Sequence, residues 1–517
     1  MNAKIVLAGF LTLIAGVFVY TRPHNIVPSD LRDAVGDGGF DTSIPVFEKN
    51  SRNIPEPVAR IQRQPPEIGE HVNSLPEPRI SLLMSFEQMI KKNPVWPGYS
   101  VLAQPIMVYR KGERSFLLEH PTPPQDYSMI AVSPYSVAMK EGTTQMDVTF
   151  KFHFLINGVD SFAYMYKPGP NSDSPKSIAH DAGLIVHERF HVFQEKDFKD
   201  IPGHLPAERY EPSGKVLAMA ILEQRALAAA VTAEDQNESA FFARLFVAIR
   251  KNRNSEGLAD TNNENLEEQS EGTAQYVEIN FLARMPGDNG RALKDLLQFM
   301  ELCTDIDSLG KTRFYATGAI QSILLDRHGQ ASWKSSVASG IPTADLLMAL
   351  YPMSDAERQG LVDKAKARFD YVKLLEIGNA ATAEYTAEKE KALADYNSLG
   401  GIELEVPDRG GPVGMTNWYP LDNGDTLYPS IHYKEINDAQ LKLRIENRPA
   451  ISGRRGFRFH VGVHAQFLLD GQPFELSNGT YPFASLEVHE PGADMVVSVP
   501  GTIGVRDDKA RIELSGI

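Results

Sequence analysis

Two histidines and a glutamate near the middle of the chain have the spacing of a metal-binding motif. His187, Glu188 and His191 form the pattern H-E-x-x-H within an otherwise apolar stretch, residues 184–194. On a helix, residues four positions apart share one face, so both imidazoles can reach one ion. The carboxylate of Glu188 can then remove a proton from a water molecule that the ion activates. The pattern predicts a hydrolytic zinc site; the alternative is an amphipathic helix with two hydrogen-bonded histidines.

A catalytic zinc site needs a third protein ligand. Cys303 is the only cysteine, which excludes a thiolate cluster and leaves histidines and carboxylates as ligands. The lone thiol itself is expected to be a small buried side chain. Downstream, Glu271 begins the stretch E-G-T-A-Q-Y, whose small residues leave room for the close approach of another helix. Three further carboxylates compete with Glu271 for the third position: Glu267, Glu268 and Glu278.

Together these motifs resemble those of the gluzincin peptidases. In that family a second helix provides the third zinc ligand through the glutamate of an E-G-x-A stretch, which an aromatic residue often follows. Here the matching stretch runs from Glu271 to Tyr276. The resemblance implies that Glu271 joins His187 and His191 in holding one Zn²⁺ per chain, and that Glu188 is the general base of peptide hydrolysis.

A third stretch is similar to one found in the gluzincin aminopeptidases. The residues Tyr-Ala-Thr-Gly-Ala at 315–319 match their Y-x-x-G-A pattern, which implies that the Tyr315 hydroxyl stabilises the oxyanion of the tetrahedral intermediate. Arg313 and His328 are alternative donors. The resemblance spans about residues 180–335. Upstream of the motifs the sequence lacks the G-x-M-E-N segment of the aminopeptidases, so endo- and exopeptidase specificity both stay open.

The motifs lie in a helical segment between two strand-rich segments, which predicts an α+β fold. Residues 79–174 contain short apolar or alternating runs separated by Pro and Gly, as in a β-rich N-terminal lobe. Residues 175–395 carry apolar side chains at helical spacing and form the expected zincin-like catalytic lobe. Short strands return at 396–517, as in an antiparallel C-terminal β domain of the sandwich type.

Three further features of these segments lead to expectations about the site. The strand-like residues 161–168 precede the metal helix, where an edge strand of a gluzincin pairs with the peptide substrate. Glu223 lies in an apolar helix and needs a partner, either a metal-ligand histidine or Arg225. The Asn- and Glu-rich residues 254–269 are expected to be a solvated loop that leads into a helix.

The first residues of the chain predict export. Lys4 precedes an apolar run at residues 5–20, which suits a signal peptide and is slightly short for a membrane span. Residues 1–21 are therefore expected to be either a cleaved signal or a membrane anchor. The Pro-rich residues 22–78 would form a tether to the catalytic part. The protein is accordingly expected outside the cytoplasm, in the periplasm, secreted or held at a membrane.

Composition limits the partners of the protein. The net charge of −15 and the pI of about 5.4 argue against nucleic acid. The predicted function is the zinc-dependent hydrolysis of a peptide or protein substrate, although a zinc hydrolase for another amide would use the same ligands. The rival hypothesis is an exported binding or scaffold protein on a degenerate peptidase fold, with the C-terminal β domain as its working part. The sequence does not indicate an oligomeric state.

Overall fold

The computed structural model describes residues 75–142, 149–167, 169, 171–199, 213–285, 288, 290–329, 331–410, 413–454 and 456–514. Within these residues a six-stranded sheet comes first, helices form the middle of the chain, and a twelve-stranded sheet follows. The predicted α+β fold is confirmed. The expected signal or anchor, residues 1–21, and most of the expected tether lie outside the described residues.

The N-terminal sheet follows one helix, α1 (Pro78–Lys92). Its strands are β1 (Ile106–Arg110), β2 (Arg114–Leu118), β3 (Ser128–Ala131), β4 (Val137–Glu141), β5 (Phe150–Ile156) and β6 (Val159–Met165). They lie in the order β3-β4-β2-β1-β6-β5. The pair β1/β6 is parallel and the other pairs are antiparallel.

The strand β5, and not β6, forms one edge of this sheet. The two strands are joined by Asn157 and Gly158, which both have positive φ angles, 47° and 79°. An Asn-Gly pair closes a tight antiparallel hairpin because both residues tolerate the left-handed conformation. On its other side β6 pairs with β1. The expectation that residues 161–168 form an edge strand is therefore wrong.

The middle of the chain consists of helices. Its α-helices are α2 (Pro175–Asp197), α3 (Gly214–Thr232), α4 (Gln236–Ser255), α5 (Thr261–Glu267), α6 (Thr273–Leu282), α7 (Arg291–Leu302), α8 (Arg313–His328), α9 (Trp333–Ala338), α10 (Thr343–Leu350), α11 (Asp355–Arg368) and α12 (Tyr371–Asn397). Two π-helical turns directly precede α6 and α8, namely π1 (Glu268–Gly272) and π2 (Ser308–Thr312).

The helix α2 carries the H-E-x-x-H residues. It begins at Pro175, whose missing N–H is tolerated in a first turn, and the Ser174 hydroxyl caps it by accepting a backbone N–H hydrogen bond at 3.2 Å. Trp96 packs edge-on against Phe190 of α2 and Trp333 of α9, with ring centroids 5.3 Å apart in both pairs. This aromatic packing fixes α2 against the later helices.

Six fully buried charged side chains connect several of these helices. The six are Arg250, Arg253, Arg313, Glu223, Glu264 and Glu268. Arg250 on α4 contacts Glu223 on α3, and its Nη2 lies 2.7 Å from Oε1 of Glu268 on π1. Nη2 of Arg313 on α8 lies 2.8 Å from Oε1 of Glu264 on α5. Three basic and three acidic side chains face one another, and each depends on its partners because all six are shielded from solvent.

This cluster corrects the expected partner of Glu223. Its carboxylate pairs with Arg250 and Arg253 and with neither of the metal-motif histidines. Arg225 instead contacts Glu301 near the surface, at 2.7 Å. The guanidinium groups outweigh the effect of burial and lower the pKa of Glu223 to about 2.

The acidic residues 254–269 also differ from expectation. Only a short connection separates α4 from α5, and Glu264 and Glu268 point into the protein and are fully buried. The expectation of a solvated loop is therefore wrong for these residues. These carboxyl groups are tolerated inside because the arginines of α4 and α8 pair with them.

The C-terminal sheet is the core of a second compact unit. Its strands are β7 (Ile402–Val406), β8 (Val413–Pro420), β9 (Thr426–Asn437), β10 (Leu441–Gly453), β11 (Gly456–Val461), β12 (Gln466–Leu469), β13 (Gln472–Pro473), β14 (Gly479–Phe483), β15 (Leu486–Glu490), β16 (Ala493–Val497), β17 (Gly501–Arg506) and β18 (Lys509–Leu514). Their pairing is antiparallel except for β7/β18. Alternate side chains along β17 and β18 are buried, as in a sheet with one covered face.

The boundary between the two compact units falls between Ala383 and Glu384, inside α12. The N-terminal sheet and the helices that precede this boundary belong to the first unit. The boundary at 395/396 that the sequence suggests lies near the end of the same helix. None of the helices in the described part of the chain has the length and hydropathy of a membrane span.

We expect the buried charge cluster to make stability depend on pH through Glu223. Its pKa of about 2 lies below the ordinary value of 4.5, so its stabilisation is present above pH 4.5 and is lost as the pH falls towards 2. Glu223→Gln should lower the free energy of unfolding by about 3–5 kcal/mol at pH 7. This difference should shrink below pH 4.5, as measured by urea denaturation.

Glu301→Gln is the matched control, because it breaks an ion pair that is more than one-third exposed. It should cost less than about 1 kcal/mol. A Glu223→Gln protein as stable as the wild type at pH 7 would contradict the role assigned to the cluster.

Candidate metal centre

Three side-chain atoms from α2 and π1 converge in the first compact unit. Nε2 of His187 and Nε2 of His191 lie 3.1 Å apart. Oε2 of Glu271 lies 3.4 Å from the first nitrogen and 3.2 Å from the second. Tetrahedral ligands that bind an ion at about 2.0–2.1 Å are separated by about 3.3 Å. The three atoms therefore have the spacing of one face of such a tetrahedron.

Hydrogen bonds fix which nitrogen of each histidine faces this point. Nδ1 of His187 lies 3.2 Å from Oε2 of Glu278, and Nδ1 of His191 lies 2.7 Å from Oε1 of Gln194. The amide nitrogen of Gln194 donates to the Thr273 hydroxyl at 2.8 Å, so the amide oxygen is the acceptor for His191. Both Nδ1 atoms thus keep a proton, so the neutral form of each imidazole presents its lone pair at Nε2.

The carboxylate of Glu188 interacts electrostatically with both histidines and with Glu271. The residue is buried, and its Oε2 atom accepts no hydrogen bond within the described part of the chain. Burial raises the pKa of Glu188, although the neighbouring His187 and His191 partly oppose this effect. A buried carboxylate with a raised pKa and a vacant acceptor atom suits a residue that takes up a proton.

The electrostatic field at the centre favours a cation. Burial opposes the protonation of His187, but its hydrogen bonds to Glu271 and Glu278 outweigh burial and raise its pKa to about 10. Glu271 raises the pKa of His191 in the same way. The two histidines in turn outweigh burial and lower the pKa of Glu271 well below its ordinary range. A bound divalent cation can replace the positive charge that the protonated histidines carry beside Glu271.

The structure separates Glu271 from the three carboxylates that competed with it. Among the described residues, the only group of at least three side chains that could hold an ion is His187, His191 and Glu271. Glu278 orients His187 and is not among the converging atoms. Glu268 belongs to the buried charge cluster. Glu267 is buried one turn before Glu271.

Two glycines bring the helices of the centre into contact. A Cβ atom on Gly272 would lie 2.5 Å from Cα of Gly318, and one on Gly318 would lie 2.5 Å from the carbonyl oxygen of Glu268. No other residue fits here without separating π1 from α8. These are the glycines of the E-G-x-A and Y-x-x-G-A stretches, so the contact holds Glu271 and Tyr315 close together.

Tyr315 lies at the centre, as the sequence predicts. Its ring stacks on that of His187, with centroids 5.8 Å apart and planes at 16°. Burial, reinforced by the charge of Glu271, raises the pKa of its hydroxyl well above the ordinary value. The alternative donors are engaged elsewhere, since Arg313 pairs with Glu264 and His328 lies 2.9 Å from the Ser239 hydroxyl.

Two residues of the centre were not anticipated from the sequence, and a third, Glu278, was expected only as a competing ligand. Gln194 follows His191 by three positions, a spacing that places it on the same helix face, and this signal could have identified it. The role of Glu278 as the partner of His187 could be recognised only from the packing of α2 against α6. Gly183 lies one turn before His187, and a Cβ atom there would meet Cγ of Glu278 at 3.4 Å. Its missing side chain gives Glu278 room to reach His187.

No protein-family model, curated protein or solved structure matches the chain. The chemistry of the centre is therefore inferred from its own residues. Two imidazole nitrogens and one carboxylate oxygen form a ligand set that Zn²⁺ accepts. Cys303 takes no part, because its buried thiol donates to the carbonyl of Phe299 at 3.4 Å and burial raises its pKa.

We expect His187→Ala to abolish metal binding. The wild-type protein should contain about one zinc per chain after exposure to Zn²⁺ and dialysis, whereas the variant should contain almost none, because two ligands rarely hold a catalytic zinc. Elemental analysis by mass spectrometry measures the difference. His464→Ala changes an exposed histidine of the second unit and should retain the metal; equal zinc content in all three proteins would disprove the site.

Gly318→Ala should weaken both the fold and the metal centre. The added methyl group must push π1 away from α8, which should cost about 1–3 kcal/mol in the free energy of unfolding and lower zinc affinity. Denaturation and zinc titration measure the two effects. Gly360→Ala is the control, because a methyl group there, within α11, meets no atom within 4 Å and should be neutral or stabilising. Wild-type stability and affinity in Gly318→Ala would refute the close contact.

Proposed function

We propose that the protein is a zinc-dependent peptidase. The observation that carries the proposal is the convergence of His187, His191 and Glu271 next to Glu188, whose buried Oε2 atom has no hydrogen-bond partner among the described residues. A scaffold protein would have no use for a buried acceptor beside three metal-ligating atoms, since such a group destabilises the fold. A hydrolytic centre requires this combination.

The roles of the residues follow from their positions. His187, His191 and Glu271 would hold Zn²⁺, which when bound polarises a carbonyl group and makes a neighbouring water more acidic. Glu188 accepts the proton of the attacking water and passes it to the leaving amine. Tyr315 donates its hydroxyl to the oxygen atom on which negative charge develops. Glu278 and Gln194 keep the two imidazoles in the required tautomer.

The edge strand β5 supports a peptide substrate. His153 on β5 lies 3.4 Å from the carboxylate of Glu195, one turn beyond His191 on α2. This contact connects the edge of the sheet to the metal helix. An extended peptide can add to such an edge through main-chain hydrogen bonds. We propose that β5, in place of the strand suggested by the sequence, aligns the substrate.

Glu188→Gln should retain zinc and lose activity. The amide keeps the shape of the side chain but cannot accept the proton, so kcat should fall by about 10²–10⁴-fold. Hydrolysis of a mixture of internally quenched peptides and elemental analysis provide the two measurements.

Asp197→Asn is the matched control, because it removes an exposed carboxylate from the same helix and should keep most of the activity. If Glu188→Gln retained most of its activity, the general-base assignment would be wrong. If zinc-loaded wild type cleaved no peptide in the mixture, peptidase function would be refuted.

A further inference from the structure

Gln104 connects the metal helix to the sheet beside it. Its amide oxygen accepts a hydrogen bond from Nη1 of Arg189, the residue that follows Glu188 on α2. Its amide nitrogen donates to the carbonyl oxygen of Phe152 on β5 at 3.2 Å and to Oδ2 of Asp160 on β6 at 2.9 Å. A guanidinium group only donates, so the amide cannot be reversed without losing all three bonds. Gln104 thus joins α2 to the edge strand in one orientation.

The buried guanidinium group of Arg189 makes this connection difficult to break. Its Nε donates to the carbonyl oxygen of Val101 at 3.2 Å, and the group lies over the ring of Phe162 on β6, 5.6 Å from the centroid. Burial lowers the pKa of Arg189 to about 10. A buried charge that lost an acceptor would be poorly solvated. The bond to Gln104 is therefore expected to persist.

The bond to Phe152 falls at an irregularity in the edge strand. Lys151 pairs with Ala163 and Phe154 pairs with Ser161, so three steps along β5 match two steps along β6. The extra residue forms a β-bulge, which bends a strand and interrupts the pairing along it. The connection to the metal helix therefore holds the edge strand at its bend.

His153, the other residue of the bulge, makes a second contact with α2. Its Nδ1 lies 2.9 Å from the same Oδ2 atom of Asp160, and its Nε2 lies 3.4 Å from Oε2 of Glu195. Glu195 follows Glu188 by seven positions, so the two carboxylates are on one face of α2, about 10 Å apart along its axis. The bulge of β5 therefore lies on the side of the metal helix that carries Glu188.

We propose that Gln104 is a positioning residue, which sets the register in which an extended peptide pairs with β5. This inference rests on the proposed peptidase function, with β5 as the strand that aligns the substrate. An added strand can pair continuously with β5 only up to the bulge, because the bulge displaces the main-chain groups beyond it. A bulge held at a fixed distance from Glu188 thus determines which peptide bond lies at the metal centre.

Binding of hydroxamates to the zinc-loaded protein tests this proposal without turnover. Acetohydroxamate only chelates the metal, whereas two tetra-alanine hydroxamates carry the peptide on either side of the chelating group. Their N-methylated counterparts have the same side chains but no peptide N–H donors. Calorimetry should show that the wild type binds at least one tetra-alanine probe about tenfold more tightly than its methylated counterpart, the gain expected from about two hydrogen bonds.

Gln104→Glu should reduce this ratio at least about threefold, because the carboxylate still accepts from Arg189 but can no longer donate to Phe152. Zinc content and acetohydroxamate affinity should stay unchanged, which a general loss of structure would not allow. Gln359→Glu is the matched control, because it makes the same exchange beside Asp363 on the exposed surface of α11. It should keep the wild-type ratio.

His153→Ala should also reduce the ratio, and it decides the question if Gln104→Glu does not fold, because the His153 side chain is more than half exposed. A wild-type ratio in both variants would overturn the inference and leave the peptidase proposal standing. The same holds if the wild type binds the methylated probes as tightly as the unmethylated ones. Failure of the wild type to bind any hydroxamate would overturn the metal centre itself, and this inference with it.

Discussion

The candidate site depends on six buried charges that do not belong to it. Arg250 binds Glu268 at the start of π1, three residues before the predicted ligand Glu271, and Arg313 lies two residues before Tyr315. The cluster therefore fixes the positions of π1 and α8 through residues that are not part of the metal centre. Buried ion pairs contribute little net stability, because desolvation offsets much of their attraction. They do, however, penalise any arrangement in which the partners separate. In this chain that penalty maintains the close contact of π1 with α8.

The proposed reaction requires imidazole nitrogens without a proton and a carboxylate that can gain one, all within a few ångströms of each other. The histidines must offer bare nitrogens inward, and Glu278 and Gln194 ensure this by accepting from Nδ1 on the outer side. Glu188 must be able to gain a proton, and burial with no hydrogen bond to its Oε2 atom among the described residues favours that. Similar side chains thus acquire different roles because their surroundings differ in solvation and hydrogen bonding.

Local patterns predicted the α+β fold and paired His187 with His191, because helical spacing is a property of neighbouring residues. The resemblance to the gluzincin E-G-x-A stretch added Glu271 to the hypothesis. What the sequence did not reveal depends on contacts between distant segments. The burial of residues 254–269 requires arginines from other helices, and the interior position of β6 requires its parallel pairing with β1. The Asn-Gly turn was visible in the sequence, but a hairpin does not determine which of its strands is the outer one.

Each of the two π turns holds one residue more than an α-helical turn of the same extent. The residues after such a turn are therefore rotated by about 100° relative to an uninterrupted helix. A helical pattern of apolar residues that is counted from α5 into α6 therefore loses its phase at π1, where Glu271 lies. The same shift occurs at π2, just before Tyr315. If a second chain with this site lacked one of the π turns, the two structures would still superpose at the site. Their sequences, however, would differ there by the insertion of one residue.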